Sequence, residues 1–443
     1  MNKKQAAVCT IVIALCFLYT GSAYMSECYR LMDHYSDRTT DIITSVINYL
    51  MQAIGIGIYM TGLRFRRRLF GDKRLFALLL VTGTLFMAVS QLSVSGAVIQ
   101  ASGYVFNLHI GFYFGFYLVM LSSLVSVKIS GMCFGIAYAV ASTGTYIMSL
   151  LDDDFLVSSE ITVIYIMLAG LTMGFVLMYD DTAAMKCGEE REGEPLFIGY
   201  LIPLVVLVMI IFTVGSELFF SNSATDSINW NLVRAFYSAG LILAGIIYDR
   251  SRLAGEVLTV AFLTYPLICS ALIGNGVVGT AVIAAGYAVR GFITLYYIVS
   301  ITDIGNKDVT KLYLAPLGLL VSRVTETIVS FVLLYYTVSQ VGQMIFSSIC
   351  FIPLIGLFVL LQNARFAADY SDEEKILGRF ERKYNLTGRE AQILRLLSEN
   401  KTDQEIADEL FISRNTVRFH ISNMFKKTET NSRVEMIRLI KRR

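Results

Sequence analysis

Twelve stretches of this chain are long and apolar enough to cross a lipid bilayer, and nothing else in it narrows the folding choices as sharply. A spanning helix needs about 20 mostly apolar residues. Such runs cover roughly residues 5–25, 41–62, 75–95, 98–124, 130–150, 160–179, 196–217, 231–249, 253–274, 277–299, 312–336 and 341–362. Hydrocarbon cannot hydrogen-bond a peptide group, so only helices or closed barrels span it. Barrel strands alternate polar and apolar residues, and runs such as Leu204-Val205-Val206-Leu207-Val208 do not. With 5 prolines in 443 residues, long helices meet few interruptions. An all-α polytopic bundle is predicted, its partner the lipid bilayer.

Charge divides the chain. Residues 1–362 hold 20 Lys+Arg and 22 Asp+Glu, whereas the last 81 residues hold 17 and 13. The expected organisation is a membrane domain over 1–362, a polar linker over 363–376 and a small basic domain over 377–443. At 16% charged residues overall, against about 25% in soluble domains, an ordinary soluble enzyme is a poor fit. The first run, with Lys3-Lys4 before it and Gly21-Ser22-Ala23 at its end, has features of a signal peptide. Eleven further spans favour a retained first helix. Arg64, Arg66, Arg67, Arg68, Lys73 and Arg74 follow the second span, and Lys128, Lys186, Arg191, Arg250, Arg252, Lys307 and Lys311 fall on the same side. The other side has Arg30, Arg38 and the acidic run Asp152-Asp153-Asp154. The positive-inside rule then places both termini in the cytoplasm and the chain in the cytoplasmic membrane. The seven cysteines are never closer than seven residues and there are three histidines, so neither metal nor cofactor is expected.

Two loops carry a family resemblance. Gly62-Leu63 followed by Arg68-Leu69-Phe70-Gly71-Asp72-Lys73-Arg74 resembles the loop between helices 2 and 3 of the major facilitator superfamily. Gly245-Ile246-Ile247-Tyr248-Asp249-Arg250-Ser251-Arg252 resembles it more closely, six spans later. The first copy lacks the acidic residue usual soon after the glycine. The acidic stretch Asp180 to Glu194 lies where that family has its central loop. The resemblance implies two related six-helix halves. Ionisable residues at membrane depth are costly and tend to be functional; the candidates are His109, Arg290, Arg323 and Glu326. Arg323 and Glu326, three apart, share a helix face. Arg290 could receive an anionic group of a small-molecule ligand; alternatively these three charges form a structural cluster. The aromatic-rich fourth span, with Tyr104, Phe106, Phe112, Tyr113, Phe114, Phe116 and Tyr117, reads as core or as pocket lining.

The tail has dense helix signals. Thr387-x-x-Glu390 and Thr402-x-x-Glu405 are capping boxes opening helices over 388–398 and up to Leu410. Ser413 caps a third over about 414–427, with Val417, Ile421 and Met424 inward. Asn431 caps a fourth over 432–441, with Val434, Ile437 and Ile440 on one side. Two short helices joined by Phe411-Ile412-Ser413 read as a helix-turn-helix, whose second helix enters the major groove. Arg414, Asn415, Arg418, Phe419, Ser422, Lys426 and Lys427 project from its outer side. Arginine reads guanine edges and lysine neutralises phosphate.

This tail resembles the LuxR-type helix-turn-helix family through Leu386-Thr387-x-Arg389-Glu390, Glu405-Ile406-Ala407-x-x-Leu410, Ile412-Ser413-x-x-Thr416-Val417-Arg418-x-His420-Ile421, Lys427 and Ser432-Arg433-x-Glu435. The resemblance implies base contacts from Arg418, Phe419 and Ser422, phosphate contacts from Thr416, His420 and Lys427, and a homodimer through the last helix (431–441). The family's usual glycine after its first helix is Asn400 here, and its Leu-Gly after the lysine is Thr428-Glu429. The chain therefore reads as a bacterial, non-enzymatic, membrane-embedded transcription regulator. Promoter DNA would be its partner and the bundle its ligand sensor. The alternative is a facilitator-type secondary transporter with a fused DNA-binding tail.

Overall fold

A computed structural model describes residues 3–126, 128–151, 153–178, 197–220, 233, 235–269, 277–307, 309–336 and 338–441. It separates into two units, Met1–Phe358 and Val359–Arg443, and helices make up both. The expected central loop, Asp180 to Glu194, lies outside the described residues.

The first unit contains α1 (Lys3–Met32), α2 (Tyr49–Phe65), α3 (Lys73–Leu92), α4 (Gly96–Leu124), α5 (Ser130–Met148), α6 (Ser159–Leu177), α7 (Ile198–Phe220), α8 (Phe236–Arg250), α9 (Arg252–Phe262), α10 (Val277–Lys307), α11 (Leu317–Tyr336) and the start of α12 (Gln340–Lys383). A π-helix, Ile42–Asn48, leads into α2. Among the described residues ten helices are long and apolar enough to cross a membrane, not twelve. The two expected over 231–249 and 253–274 contain the shorter helices α8 and α9. α9 stops at Phe262, and a new short helix, Tyr265–Cys269, starts around Pro266. That proline has no N–H to give the Phe262 carbonyl, so the helix ends there. The expected linker over 363–376 lies inside α12, whose Ala367-Ala368 and Glu373-Glu374-Lys375 are good helix formers.

This unit is a polytopic membrane bundle with its polarity inverted relative to a soluble core. Leu85, Met167, Met178 and Ile352 expose 61–74% of their surface, while Glu27, Asn48, Gln52 and Asn107 expose 0–4%. Only a solvent with no hydrogen-bonding capacity makes that distribution favourable.

Close approach of the helices depends on glycine. A Cβ placed on Gly55 of α2 would collide with the Leu108 carbonyl of α4, and one on Gly111 of α4 with the Gln52 carbonyl of α2. The same crossing recurs six spans on. Gly240 of α8 faces the Ala288 carbonyl of α10, and Gly291 faces that of Tyr237. In all four cases the nearest atom is the carbonyl oxygen three residues before the partner's glycine. The wider pairings repeat too: α1 packs on α5 as α7 packs on α11, and α2 packs on α11 as α8 packs on α5. At the α8–α5 contact Asp249 accepts hydrogen bonds from the backbone of Gly131 (2.9 Å) and Met132 (2.8 Å), capping α5. The loop after α2 has no acid in this role; Arg64 instead lies over the ring of Tyr313, 5.5 Å away.

The second unit holds the end of α12, α13 (Gly388–Ser398), α14 (Asp403–Glu409), α15 (Arg414–Thr428) and α16 (Arg433–Lys441). Both capping boxes form: Thr387 N–H donates to Glu390 Oε2 (2.7 Å) and Thr402 N–H to Glu405 Oε2 (2.7 Å). Leu377 and Phe380 of α12 join Ile393, Leu397, Ile406, Val417, Met424 and Met436 in one core. Asn400 has φ 63° and Glu429 φ 54°, left-handed conformations at the two positions where the related family carries glycine; only at Asn400 is the residue well suited to it. The last helix turns differently from expectation. Met436 is fully buried with Leu439 and Ile440 packed beside it, while Val434 is 59% exposed. Its cap is Ser432, which accepts from Glu435 N–H (3.2 Å), rather than Asn431.

These contacts set the stability of each unit. Gly111→Ala or Gly291→Ala should destabilise the detergent-solubilised protein by about 1–3 kcal/mol through overpacking, whereas Gly57→Ala, with open space around it, should be neutral or stabilise slightly; thermal unfolding of the three variants checks the order. In the second unit, Lys427 Nζ donates to the buried Glu390 carboxylate (2.6 Å). Burial alone would raise the Glu390 pKa, but the hydrogen bonds from Lys427 and Thr387 outweigh it and hold the carboxyl below the usual range. Its contribution is complete above the ordinary glutamate range and is lost as pH falls through the depressed folded value. Lys427→Met in a 370–443 fragment should therefore cost about 1–3 kcal/mol in urea unfolding at neutral pH, with the difference shrinking in acid.

Candidate nucleic-acid interface and the charges of the bundle

Three local devices position α15. Ser413 Oγ accepts from Thr416 N–H (3.1 Å) and starts the helix. The preceding turn closes through Ile412 N–H to the Ala407 carbonyl (2.9 Å), with Phe411 at φ 52°. Arg389 of α13 donates to the Leu410 carbonyl (2.8 Å), satisfying the end of α14. Val417, Ile421 and Met424 are buried as expected, which turns the opposite face outward.

On that face Arg414, Asn415, Arg418, Phe419, Ser422 and Lys426 are exposed, and Thr416 and His420 are partly buried along its edges. Phe419 stands 63% exposed and meets His420 edge-on, ring centroids 5.8 Å apart. Arg418 Nε is bonded to Asp403 Oδ2 (3.3 Å), whose other oxygen lies 3.6 Å from Arg433. An exposed pair of this kind is worth about 0.2–1 kcal/mol, so a stronger acceptor readily displaces it. Lys427 differs from its neighbours. It is engaged by Glu390 and by the Asn385 carbonyl (3.0 Å), tying α15 to α13. The sequence assigned it only a phosphate; its internal partners lie 37 and 42 positions away and gave no local signal.

The bundle pairs two of its four candidate charges. Arg323 and Glu326 pair at 2.9 Å on α11, and the Arg323 guanidinium stacks on Tyr49 of α2, 4.4 Å from the ring centroid. Arg290 of α10 lies over Phe212 of α7 at 5.4 Å. It lines a pocket of about 410 Å³, counting its open mouth, with Ser216, Tyr265 and Tyr287. His109 is held elsewhere, between the Thr82 hydroxyl of α3 (3.0 Å) and the Val105 carbonyl (2.8 Å). Both ring nitrogens are thus occupied in the packing of α3 on α4. The aromatic residues of α4 are mostly core: Phe106, Tyr113, Phe114, Phe116 and Tyr117 are all buried.

A polar network escaped the sequence reading. Glu27 lies in α1, which spans to Met32 rather than ending near residue 25. Asn48 Nδ2 donates to Glu27 Oε1 (3.0 Å), Asn107 Nδ2 to Oε2 (3.3 Å), and Gln52 Nε2 to Asn107 Oδ1 (2.8 Å). The i,i+4 spacing of Asn48 and Gln52 was the available clue.

Comparison with known proteins separates the two units. The model of the bacterial regulatory proteins, luxR family, matches residues 384–440. The uncharacterized response regulatory protein YgeK of Escherichia coli is 41% identical over 73 residues, 16% of this chain and 50% of that protein. The chain thus spans half the length of that relative. The spore germination protein GerE of Bacillus subtilis is 47% identical over 64 residues, 14% of this chain and 86% of that protein. Among solved structures, the major facilitator superfamily transporter FucP in its outward conformation aligns over 80% of this chain and 98% of its own, with a TM-score of 0.48 and 13% identity. The match to GerE runs nearly end to end at high identity, and the geometry of α13 to α16 agrees with it: the chain belongs to the luxR family of bacterial regulatory proteins.

Proposed function

We propose that this protein is a one-component transcription regulator whose membrane bundle senses a small molecule and whose second unit binds promoter DNA in a sequence-selective way. The observation that carries this reading is α15. It packs on α13 and α14 through its own buried stripe, and it presents two arginines, a lysine, a serine and an aromatic ring outward. Arg418 is the residue assigned to base reading, exchanging Asp403 for a guanine edge; Lys426 and Arg414 neutralise phosphate, flanked by Thr416 and His420. Exposed Val434 on α16 supports homodimerisation through the last helix, since it is the apolar side chain that the core leaves outside. Both termini lie on the cytoplasmic side, where the arginine-rich turn after α2 also belongs. Arg290 receives an anionic ligand in its aromatic pocket. For such a ligand to regulate, it must favour one of two bundle states. The rival reading, a secondary transporter with a fused regulatory tail, draws on the same intramembrane charges.

Titrating the 370–443 fragment with labelled DNA from upstream of its own coding region tests the DNA reading. Arg418→Ala should cost about 1–3 kcal/mol on the preferred sequence and little on random DNA. Lys426→Ala should weaken all sequences alike and reduce the salt slope by about one. Absence of selectivity in both the fragment and the full-length protein would sink the reading. For the bundle, Arg290→Gln should abolish the ligand response of a reporter promoter while leaving DNA affinity intact; uptake that vanishes in the variant, with regulation unchanged, would favour transport.

A further inference from the structure

We propose that Glu27, Asn48 and Gln52 form a binding site for one monovalent metal cation inside the bundle, of which sodium is the probe of choice.

The hydrogen-bond partners of the Glu27 carboxyl group favour its charged form, against a burial that opposes it. Both of its oxygens face amide N–H₂ donors, those of Asn48 and Asn107. Donors stabilise an ionised carboxylate and repel a protonated one. An ionised Glu27, only 1% exposed, needs a countercharge in a span where a bare charge is costly. Its hydrogen-bonding partners are neutral amides. The titratable groups that face it are Tyr24 and Cys28 on its own helix and Tyr104 on α4, none of which supplies positive charge.

Two acceptors in the same hydrogen-bonded network are also unsatisfied. Asn48 Oδ1 and Gln52 Oε1 are buried, at 0% and 4% residue exposure, and neither has a hydrogen-bond partner. Buried amide oxygens are normally satisfied, and these two sit on side chains already turned into the network by their own nitrogens. Missing countercharge and missing donors occur in one network, and a cation held there would supply both. Its class follows from the ligands. Carboxylate and amide oxygens are hard donors suited to alkali or alkaline-earth ions, and a single negative charge is neutralised by a single positive one. The Glu27 carboxyl group packs directly against Gly103, where a Cβ would collide with it, and Asn48 closes the π-helix, a distortion often found at functional sites.

Full-length protein in detergent is assayed by ²²Na⁺ equilibrium binding at pH 8. Thermal unfolding is followed in parallel in sodium chloride and in N-methylglucamine chloride of equal ionic strength. The expected result is saturable binding of one sodium per chain with a sodium-dependent rise in Tm, both lost in Glu27→Gln. Asn48→Ala, which keeps the charge, should weaken sodium binding at least tenfold. Absence of sodium binding by the wild type, or equal binding by Glu27→Gln, overturns the proposal. Stabilisation by acid without any sodium effect, reproduced by Glu27→Gln, also overturns it and assigns the group a proton. Should Glu27→Gln fail to fold, an unchanged sodium affinity in Asn48→Ala overturns the proposal in its place. None of these readouts involves DNA, so they are independent of the regulatory reading.

Discussion

Contact of backbone on backbone at four glycines is the constraint on which the bundle rests. Between apolar helices in lipid there is no hydrophobic gain from association, so dispersion at close range has to supply the attraction. Gly55 against Gly111 and Gly240 against Gly291 bring α2 onto α4 and α8 onto α10 closely enough that a methyl group would overlap the facing carbonyl. With those crossings fixed, α11 and α5 take equivalent places beside them. The twofold repeat is thus a property of the packing, visible without reference to any other protein.

The same closeness explains where polar groups are tolerated. Hydrogen-bonding residues lie next to both glycine crossings, Gln52 buried and Tyr237 partly buried. Gln52 lends its carbonyl to the seat of Gly111 and its amide to Asn107. Tyr237, the corresponding residue of the second crossing, lends its carbonyl to the seat of Gly291 and its hydroxyl to Thr294 at 3.0 Å. The second unit solves a different problem, holding a short basic helix outward in water, and does so with caps, an apolar stripe and the ion pair of Lys427 with the buried Glu390.

What the sequence disclosed depended on how local the cause was. Capping boxes at Thr387 and Thr402, the Val417/Ile421/Met424 stripe and the left-handed Asn400 were all legible, because each is decided within four residues. Hydropathy marked the apolar runs but did not reveal that Pro266 ends α9. The face of α16 was misread, since Val434, Ile437 and Ile440 compete with Met436, Leu439 and Ile440 and only the rest of the core decides between them. Glu27 was beyond reach for a plainer reason: its two amide donors are 21 and 80 residues away.

The glycine crossings also bear on how such a bundle can change. Because the seat is made of main-chain atoms, the shape of each half is indifferent to most side chains around it. The two halves already differ in this way, one carrying Glu27, Asn107 and Gln52, the other aromatic rings and Arg290 beside the same geometry. If the bundle has the sensing role proposed above, its ligand preference can drift by ordinary substitutions while the architecture stays put: one frame, retuned to new chemical signals without being rebuilt.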